Sequence, residues 1–467
     1  MNEQRLHMEE AISKAEWETC LRVLQSVRTE PDRAPDRESL ERLIASLYKS
    51  TRKRRRRLAG SLAKRRDKAL VEKALRRRET SGAFSPETSV APVAGPTADI
   101  PTEGDQLGHR TRCCYICKHR YSRLHRHYHA LCPDCASLNH AKRIQRTDLK
   151  GRRAMVTGGR IKIGYQTALK LLRDGAEVIV TTRFPRNCAL QFAQEPDFTA
   201  WEMRLKIYGL DFRDTSSLLK LVRHWQETLG SLDILVNNAA QSVRRPERDY
   251  AAHQALEDGS IGALPMHCRQ LLAGHLAWAA PGRQLPDAAA VQSGLSRLPA
   301  IEVPDLRDHN SWTLKLSEVE PVELLEVLLI NTAAPFILTA GLLPLLESSP
   351  HPDRYVINVT GRDGLFDRSG KSDRHPHVNM SKAALNMMTR TSASDYASKG
   401  IYMNSVDTGW ITFEGAHRTR VAMRDRGFAT PLDEIDGAAR IYDPVVRGLA
   451  GERLHGQLFR HYRPGAW

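Results

Sequence analysis

Two stretches of this chain place reactive residue types at spacings that can do chemistry. The first is a pair of C-x2-C knuckles, Cys114 with Cys117 and Cys132 with Cys135, separated by fourteen residues. Four thiolates so spaced can close into a tetrahedron, the geometry Zn²⁺ prefers. All positions are then filled by protein, so the implied Zn²⁺ is structural rather than catalytic. Cys113 competes for the register, and His119, His125, His127 or His129 could replace one thiolate. The second stretch is RRAMVTGGRIKIG, from Arg152 to Gly164. It reads as a buried strand, a glycine turn at Thr157, Gly158 and Gly159, and the opening of a helix. That order begins a βαβ unit able to receive a dinucleotide diphosphate. Small residues let the backbone come close, and free N–H groups at a helix N-terminus favour negative charge.

The elements that must position these groups follow from the hydrophobic pattern. After the glycine turn, Val178 to Thr181 read as a second strand and Lys206 to Leu210 as a third. Asp214 caps a helix running to Leu229, and Leu232 to Val236 form a fourth strand entering Asn237-Asn238-Ala239-Ala240. This alternation predicts an α/β fold, a doubly wound parallel sheet of Rossmann type with helices on both faces. The 467 residues leave room for additions to such a core.

Residues 1–79 read as a helical, basic arm: an amphipathic helix with Trp17, Leu21 and Leu24 on one side, a PDRAPD break, and a second helix capped by Asp36. Between Arg52 and Arg78, fourteen Lys and Arg face only Asp67 and Glu72, so much of the net charge of +16 sits there. Such a run is a solvated helix face, a nucleic-acid surface or targeting address, or a surface for an acidic protein. Residues 80–108, rich in Ser, Pro, Gly, Thr and Ala, read as a flexible linker. Residues 109–148 form the small zinc-binding module, joined to the body without a Pro/Gly spacer and therefore docked on it. The body, 149–467, carries a long insertion at about 241–320 beside the expected substrate cleft. Cysteines concentrated between Cys113 and Cys135 fit reducing, intracellular conditions. With no signal-peptide core and no apolar run of membrane-spanning length, the expectation is a soluble cytoplasmic protein, or a nuclear one in a eukaryote, with no membrane partner.

Six motifs, in order, give residues 150–243 and 321–412 a resemblance to the short-chain dehydrogenase/reductase family. TGGRIKIG is similar to the family's TGxxxGxG turn, LDF to its adenine-side Asp, and LVNNAA to its NNAG strand end. LLINTAAPF is similar to the Asn-bearing helix, NMSKAALNMMT to the helix after the catalytic Tyr, and SVDTGWIT to the PG-x-x-x-T stretch. The resemblance implies a nicotinamide cofactor across the strand ends. Gly158, Gly159, Ile163 and Gly164 would line its phosphates, with Thr157 and Gly409 completing the motif positions. Asp211 and Phe212 would hold the adenine, and Asn237 and Ala239 would flank the adenosine ribose. The position after the second strand separates the two cofactors, since an acidic residue there repels a 2′-phosphate and an arginine attracts it. Here it is Arg183, with Arg160 nearby, which points to NADP(H), with NAD(H) as the alternative. The middle glycine of the turn is Lys162, whose side chain could crowd the cofactor or contact phosphate. The family's homo-oligomers, built through the helices holding Asn331 and Lys382, are implied as well.

The resemblance breaks at the proton chemistry. Lys382 fits the lysine that grips the nicotinamide ribose, and Asn331 fits the asparagine of the water relay. Yet Val378 stands where the catalytic Tyr belongs, four residues before Lys382. The expected Ser position falls at Gly361 or Arg362, with Thr360 the closest hydroxyl. Losing a positioned general acid costs about 10²–10⁴-fold in rate. Tyr396 lies fourteen residues along the helix from Lys382, too far to substitute. Of His375, His377 and Asp363, His377 adjoins the vacant position and is the first candidate replacement. Two functions compete on this reading. One is an oxidoreductase acting on an unknown carbonyl or alcohol with a non-standard proton donor. The other is an inactive cofactor-binding sensor or scaffold whose zinc module and basic arm engage protein or nucleic acid.

Overall fold

The computed structural model describes residues 13–30, 36–80, 106–279, 304–366 and 371–467. The expected linker lies outside these residues from 81 to 105, as does 280–303 of the insertion. The chain divides into two compact units, Met1–Ala69 and Leu70–Trp467. In the first, a helix over Lys14–Thr29 opens on a capping box: Ser13 Oγ accepts from the Glu16 N–H at 3.2 Å and the Ser13 N–H donates to Glu16 at 2.8 Å. Asp36 caps the next helix by accepting from the Ser39 N–H at 3.1 Å. That helix, Arg37–Thr80, presents the cations of residues 52–66 to solvent. It crosses the unit boundary, which therefore falls earlier than the expected end of the arm at 79. Past Leu70 its residues belong to the body: Ala74 is buried, and Arg78 donates to the carbonyls of Thr430 and Pro431 at 3.1 Å.

The second unit opens with an antiparallel hairpin, β1 (Gln106–Cys113) and β2 (Arg120–Leu124), followed by a helix over Pro133–Ile144. The main sheet comprises β3 (Arg153–Thr157), β4 (Glu177–Thr182), β5 (Leu205–Gly209), β6 (Ile234–Asn237), β7 (Arg354–Thr360), β8 (Ile401–Asp407), β9 (Leu458–Arg460) and β10 (Arg463–Gly465). Its order is β10-β9-β8-β7-β6-β3-β4-β5, parallel except for β10. The side-chain period of two divides the strands between two cores. Ala154, Val156, Val178, Val180, Ile234 and Val236 face the helices Lys162–Arg173 and Glu434–Leu449. Met155, Ile179 and Leu235 face Thr215–Thr228, Ala334–Gly341 and Pro376–Ser398. The chain runs outward from β3 through β4 to β5 and then returns to β6 on the other side of β3, which makes the β3/β6 boundary the switch point where such sheets hold ligands.

Two expectations change here. One helical run, Pro321–Gly341, is long and apolar enough to cross a membrane by length and composition, where the sequence reading saw none. Its Ile330, Ala334 and Leu338 are spent on the core beneath the sheet. The insertion also divides its work. Its first half, with helices Ala251–Asp258, Met266–Leu271 and Ala273–Ala279, covers β5 and the helix Pro185–Phe192. Among the described residues, its two ends reach the expected substrate side, Gln241 and Ser242 at the start and Trp312 on the return from 304.

Candidate functional site

A cleft of about 700 Å³ runs over the carboxyl ends of the strands, from β4 to β8. Gly158, Arg160, Ile163, Gly164, Arg183, Asp211, Phe212, Ala239, Lys382 and Gly409 all line it. At the turn, Gly158 takes φ +66°, a left-handed conformation natural to glycine, and a Cβ there would meet the Ala239 Cα at 2.9 Å. Lys162 keeps a glycine-like φ of +53° at the family's middle glycine and lines the cleft. The helix it opens has no side-chain cap, and its first turn, Lys162 to Gly164, lines the cleft. At the β4 end, Arg183 lies over the Tyr250 ring at 4.7 Å. Arg160, buried, donates to Asn187 Oδ1 at 2.9 Å and lies over Phe184 at 5.3 Å. Burial works against the Asp211 carboxylate, but its paired bonds from Arg213, 2.7 and 3.0 Å to Oδ2, hold it below the usual carboxylate range.

Three expected cofactor residues do not line the cleft. Thr157 Oγ1 accepts from the N–H groups of Asn238 and Ala239, both at 2.9 Å, and so ties the ends of β3 and β6 together. Gly159 makes room for Val180, whose Cγ1 would sit 2.6 Å from an added Cβ. Asn237 is buried on the other side, donating to Thr339 Oγ1 at 3.1 Å and Asn358 Oδ1 at 2.8 Å. Its neighbour Asn238 lines the cleft instead and donates to the Thr157 carbonyl at 2.9 Å.

At the catalytic end, Lys382 Nζ donates to the Val359 carbonyl at 2.9 Å, and burial pushes its ammonium down to about 8, opposed by the charge of Asp363. Val378, one helical turn before it, lines the cleft and carries no proton to give. Thr360, at the end of β7, reaches the cleft with a buried hydroxyl that has no hydrogen-bond partner among the described residues. Asn331 is buried in a π-helical turn, Leu329–Ala333. Its Oδ1 accepts from the Gln241 N–H at 2.7 Å, and its Nδ2 donates to the Gln241 carbonyl and Ser381 Oγ, both at 3.0 Å. It therefore clamps the insertion's entry to the Lys382 helix. His377 is not on the cleft: it is buried with Nε2 4.0 Å from Glu323, and burial lowers its pKa. Asp363 does line the cleft, 3.5 Å from His375 Nε2, and that imidazole stacks on Trp312 at 4.1 Å. Tyr396 is spent on the Thr339 carbonyl at 3.0 Å.

The Sγ atoms of Cys114, Cys117, Cys132 and Cys135 all lie within 4.8 Å of one another, and no other metal-competent group occurs among the described residues. Cys117 and Cys132 stand 3.6 Å apart, close to the roughly 3.8 Å edge of a tetrahedron with 2.3 Å Zn–S bonds. Cys113 is outside the group, its Sγ turned to the Lys118 carbonyl at 3.2 Å. His125 and His127 turn toward His140 instead. The module is docked on the helix Glu434–Leu449: Tyr128 donates to Asp436 at 2.6 Å and Arg143 to Asp433 at 2.6 Å. Sequence reading missed Tyr115, which reaches from between the cysteines into the cleft wall.

A family model described as short chain dehydrogenase matches residues 152–258. An uncharacterized protein of Acanthamoeba polyphaga mimivirus is 31% identical over 347 residues, 72% of this chain and 71% of the relative. A probable oxidoreductase of Streptomyces lividans is 42% identical over 130 residues, 25% of this chain and 42% of that protein's length. Among solved structures, the RhlG/NADP active-site complex from Pseudomonas aeruginosa is 21% identical, with a TM-score of 0.43 covering 67% of this chain and 95% of that one.

Proposed function

The chain belongs to the short-chain dehydrogenase family, and on that premise we propose that it binds NADP(H) and acts as an oxidoreductase on a carbonyl or alcohol. The observation that carries this reading is convergence: the uncapped helix start after the glycine turn, Arg183 with Arg160, and Lys382 all face one cleft. A bound NADP(H) supplies or accepts the hydride. The arginines hold the 2′-phosphate, the helix N-terminus holds the diphosphate, and Lys382 holds the ribose hydroxyls. Asn331 braces the helix that carries Lys382. With valine at 378 and glycine at 361, the proton for the substrate oxygen is passed by the pair formed by Asp363, on the cleft wall, and His375 behind it. The cysteine group holds a structural Zn²⁺.

Two partner readings accompany this. The exposed apolar side chains Leu325, Phe336 and Met387 on the helices beside Asn331 and Lys382 suit a second copy of the chain. The exposed cations of residues 52–66 suit a polyanion such as nucleic acid.

A second reading, a cofactor-bound protein without turnover, is favoured by Val378 and Gly361 together, since both family hydroxyls are gone. A panel of carbonyl compounds with NADPH separates the two. The enzyme consumes NADPH with at least one, Lys382→Ala abolishes this, and Asp363→Asn lowers it about 10²-fold or more. A sensor shows an NADPH-induced rise in Tm and no consumption, even with Val378→Tyr.

A further inference from the structure

We propose that the four-cysteine knuckle is a working part of the nucleotide cleft: metal held by Cys114, Cys117, Cys132 and Cys135 positions Tyr115, and Tyr115 positions the loop forming the β8 end of the cleft. Metal and dinucleotide then bind with mutual reinforcement. This rests on the reading of the cleft as the NADP(H) site.

The loop in question, residues 408–416, has no helix or strand. Next to β8, the Gly409 N–H is held by Asp407 Oδ1 at 2.8 Å. The Trp410 N–H donates to the Tyr115 hydroxyl at 2.9 Å, a bond that comes from the knuckle. At the other end Asn310 donates to the Glu414 carbonyl at 3.0 Å. Between these anchors, Ile411 is buried in one apolar cluster with Cys114, Cys132, Tyr128 and Leu131, and Ile163 packs against the same cluster. Ile411 and Ile163 both line the cleft. The module's core is therefore also the back of the cleft wall.

Tyr115 stands between two of the four cysteines. Its N–H donates to the Ala130 carbonyl at 2.9 Å and its ring meets His461 edge-on at 5.5 Å. The knuckle turn itself closes with two backbone bonds, Cys114 N–H to His119 at 2.9 Å and Lys118 N–H to Cys114 at 3.1 Å, with Lys118 at φ +62°. So short a turn, with a non-glycine residue in the left-handed region, loses much entropy for few bonds, and a structural metal supplies the missing free energy. Whatever orders the knuckle orders Tyr115 and the loop, and linkage requires the dinucleotide to favour the metal by the same factor.

The test uses full-length, zinc-loaded protein. NADPH affinity is measured by fluorescence titration for wild type, Tyr115→Phe and Cys132→Ser, and zinc loss to a chromogenic chelator is timed with and without NADPH. Tyr115→Phe should keep its zinc and bind NADPH about three- to tenfold more weakly, the worth of one hydrogen bond. Cys132→Ser should weaken NADPH more than tenfold, and NADPH should slow zinc loss from the wild type. If Cys132→Ser does not fold, Tyr115→Phe and the zinc-loss rates decide. Unchanged NADPH affinity in Tyr115→Phe, with zinc loss indifferent to NADPH, overturns the coupling and leaves the nucleotide reading standing. A zinc-loaded wild type that binds no NADPH overturns both.

Discussion

Replacing Arg183 with alanine should convert a protein that prefers NADPH into one that scarcely separates NADPH from NADH. Arg183 lines the cleft immediately after β4, and its guanidinium makes no ion pair within 4 Å among the described residues, although Asp211 feels its charge. It rests on the Tyr250 ring at 4.7 Å, which leaves its N–H donors for a phosphate. A hydrogen bond to a charged group is worth about 1.5–3 kcal/mol. Because Arg183 is half-buried, the lower part of that range applies, about 1.5–2 kcal/mol, or roughly 10- to 30-fold in NADPH affinity. Arg160 stays in place on Asn187 and keeps the loss from being larger. Losing the contact with Tyr250 costs the local fold the same whichever cofactor binds, so the NADPH-to-NADH ratio isolates the phosphate contribution. NADH affinity should move less than about threefold, since it has no 2′-phosphate to lose. Arg183→Lys should fall between, keeping the charge but not the planar fork. Parallel fluorescence titrations at two ionic strengths measure all of this, with salt weakening NADPH in the wild type more than in the variant. Equal losses for the two cofactors, or a wild type indifferent between them, would refute the assignment of Arg183 to the 2′-phosphate.

Four further outcomes are expected. The Lys382 ammonium, pushed down to about 8, is the form that grips the ribose, so NADPH affinity should fall as pH rises through 8, and Lys382→Met should flatten the profile. The sign for stability is opposite: a buried cation below its unfolded pKa is disfavoured, so the free protein should gain stability between about 8 and the ordinary lysine value of 10.5, a gain absent from Lys382→Met in pH-dependent melts. Metal analysis of Cys132→Ser should show loss of about one zinc equivalent, and an unchanged content would remove the metal from these cysteines. Deleting residues 1–69, which spares Leu70, Ala74 and Arg78 in the body, should abolish salt-sensitive binding to a polyanion while leaving NADPH binding intact. Binding that survived would belong to the Arg- and His-rich loop of the metal module.

The sheet and the cysteine group were legible in the sequence because each obeys a short local rule: strands bounded by turns in the first case, fixed ligand spacing in the second. The expected residues that miss the cleft lie one residue away from ones that line it, and phase explains the offset. In β6, Leu235 faces one core and Val236 the other, so Asn237 continues on the side of Leu235 and meets Thr339 and Asn358, leaving Asn238 to the cleft. Counting the alternation through the Asn pair would have found it. On the Lys382 helix, Val378 lies four residues back and shares its face, whereas His377 is rotated by about 100° toward Glu323. Adjacency in sequence was mistaken for adjacency in space. Tyr115 gave no signal of either kind, because its partner Trp410 is distant in sequence and their meeting depends on how the module docks. The insertion was opaque for the same reason.

The retained family residues bear unequally on whether this protein turns over a substrate. Lys382 has a task without any proton transfer, bonding the Val359 carbonyl and lining the cleft, so its presence supports cofactor binding and says little about chemistry. Asn331 likewise spends its amide on Gln241 and Ser381, which joins the insertion to the Lys382 helix whether or not a water relay runs past it. Asp363 differs. Its carboxyl lies on the cleft wall, and the imidazole behind it is held in place by stacking on Trp312 from the returning end of the insertion. A sensor has no use for an acid placed there, whereas an oxidoreductase without its phenol does. The comparison that matters is therefore Asp363→Asn at saturating NADPH. A loss of turnover with unchanged cofactor affinity identifies a working proton donor, and equal turnover assigns the proton to another group.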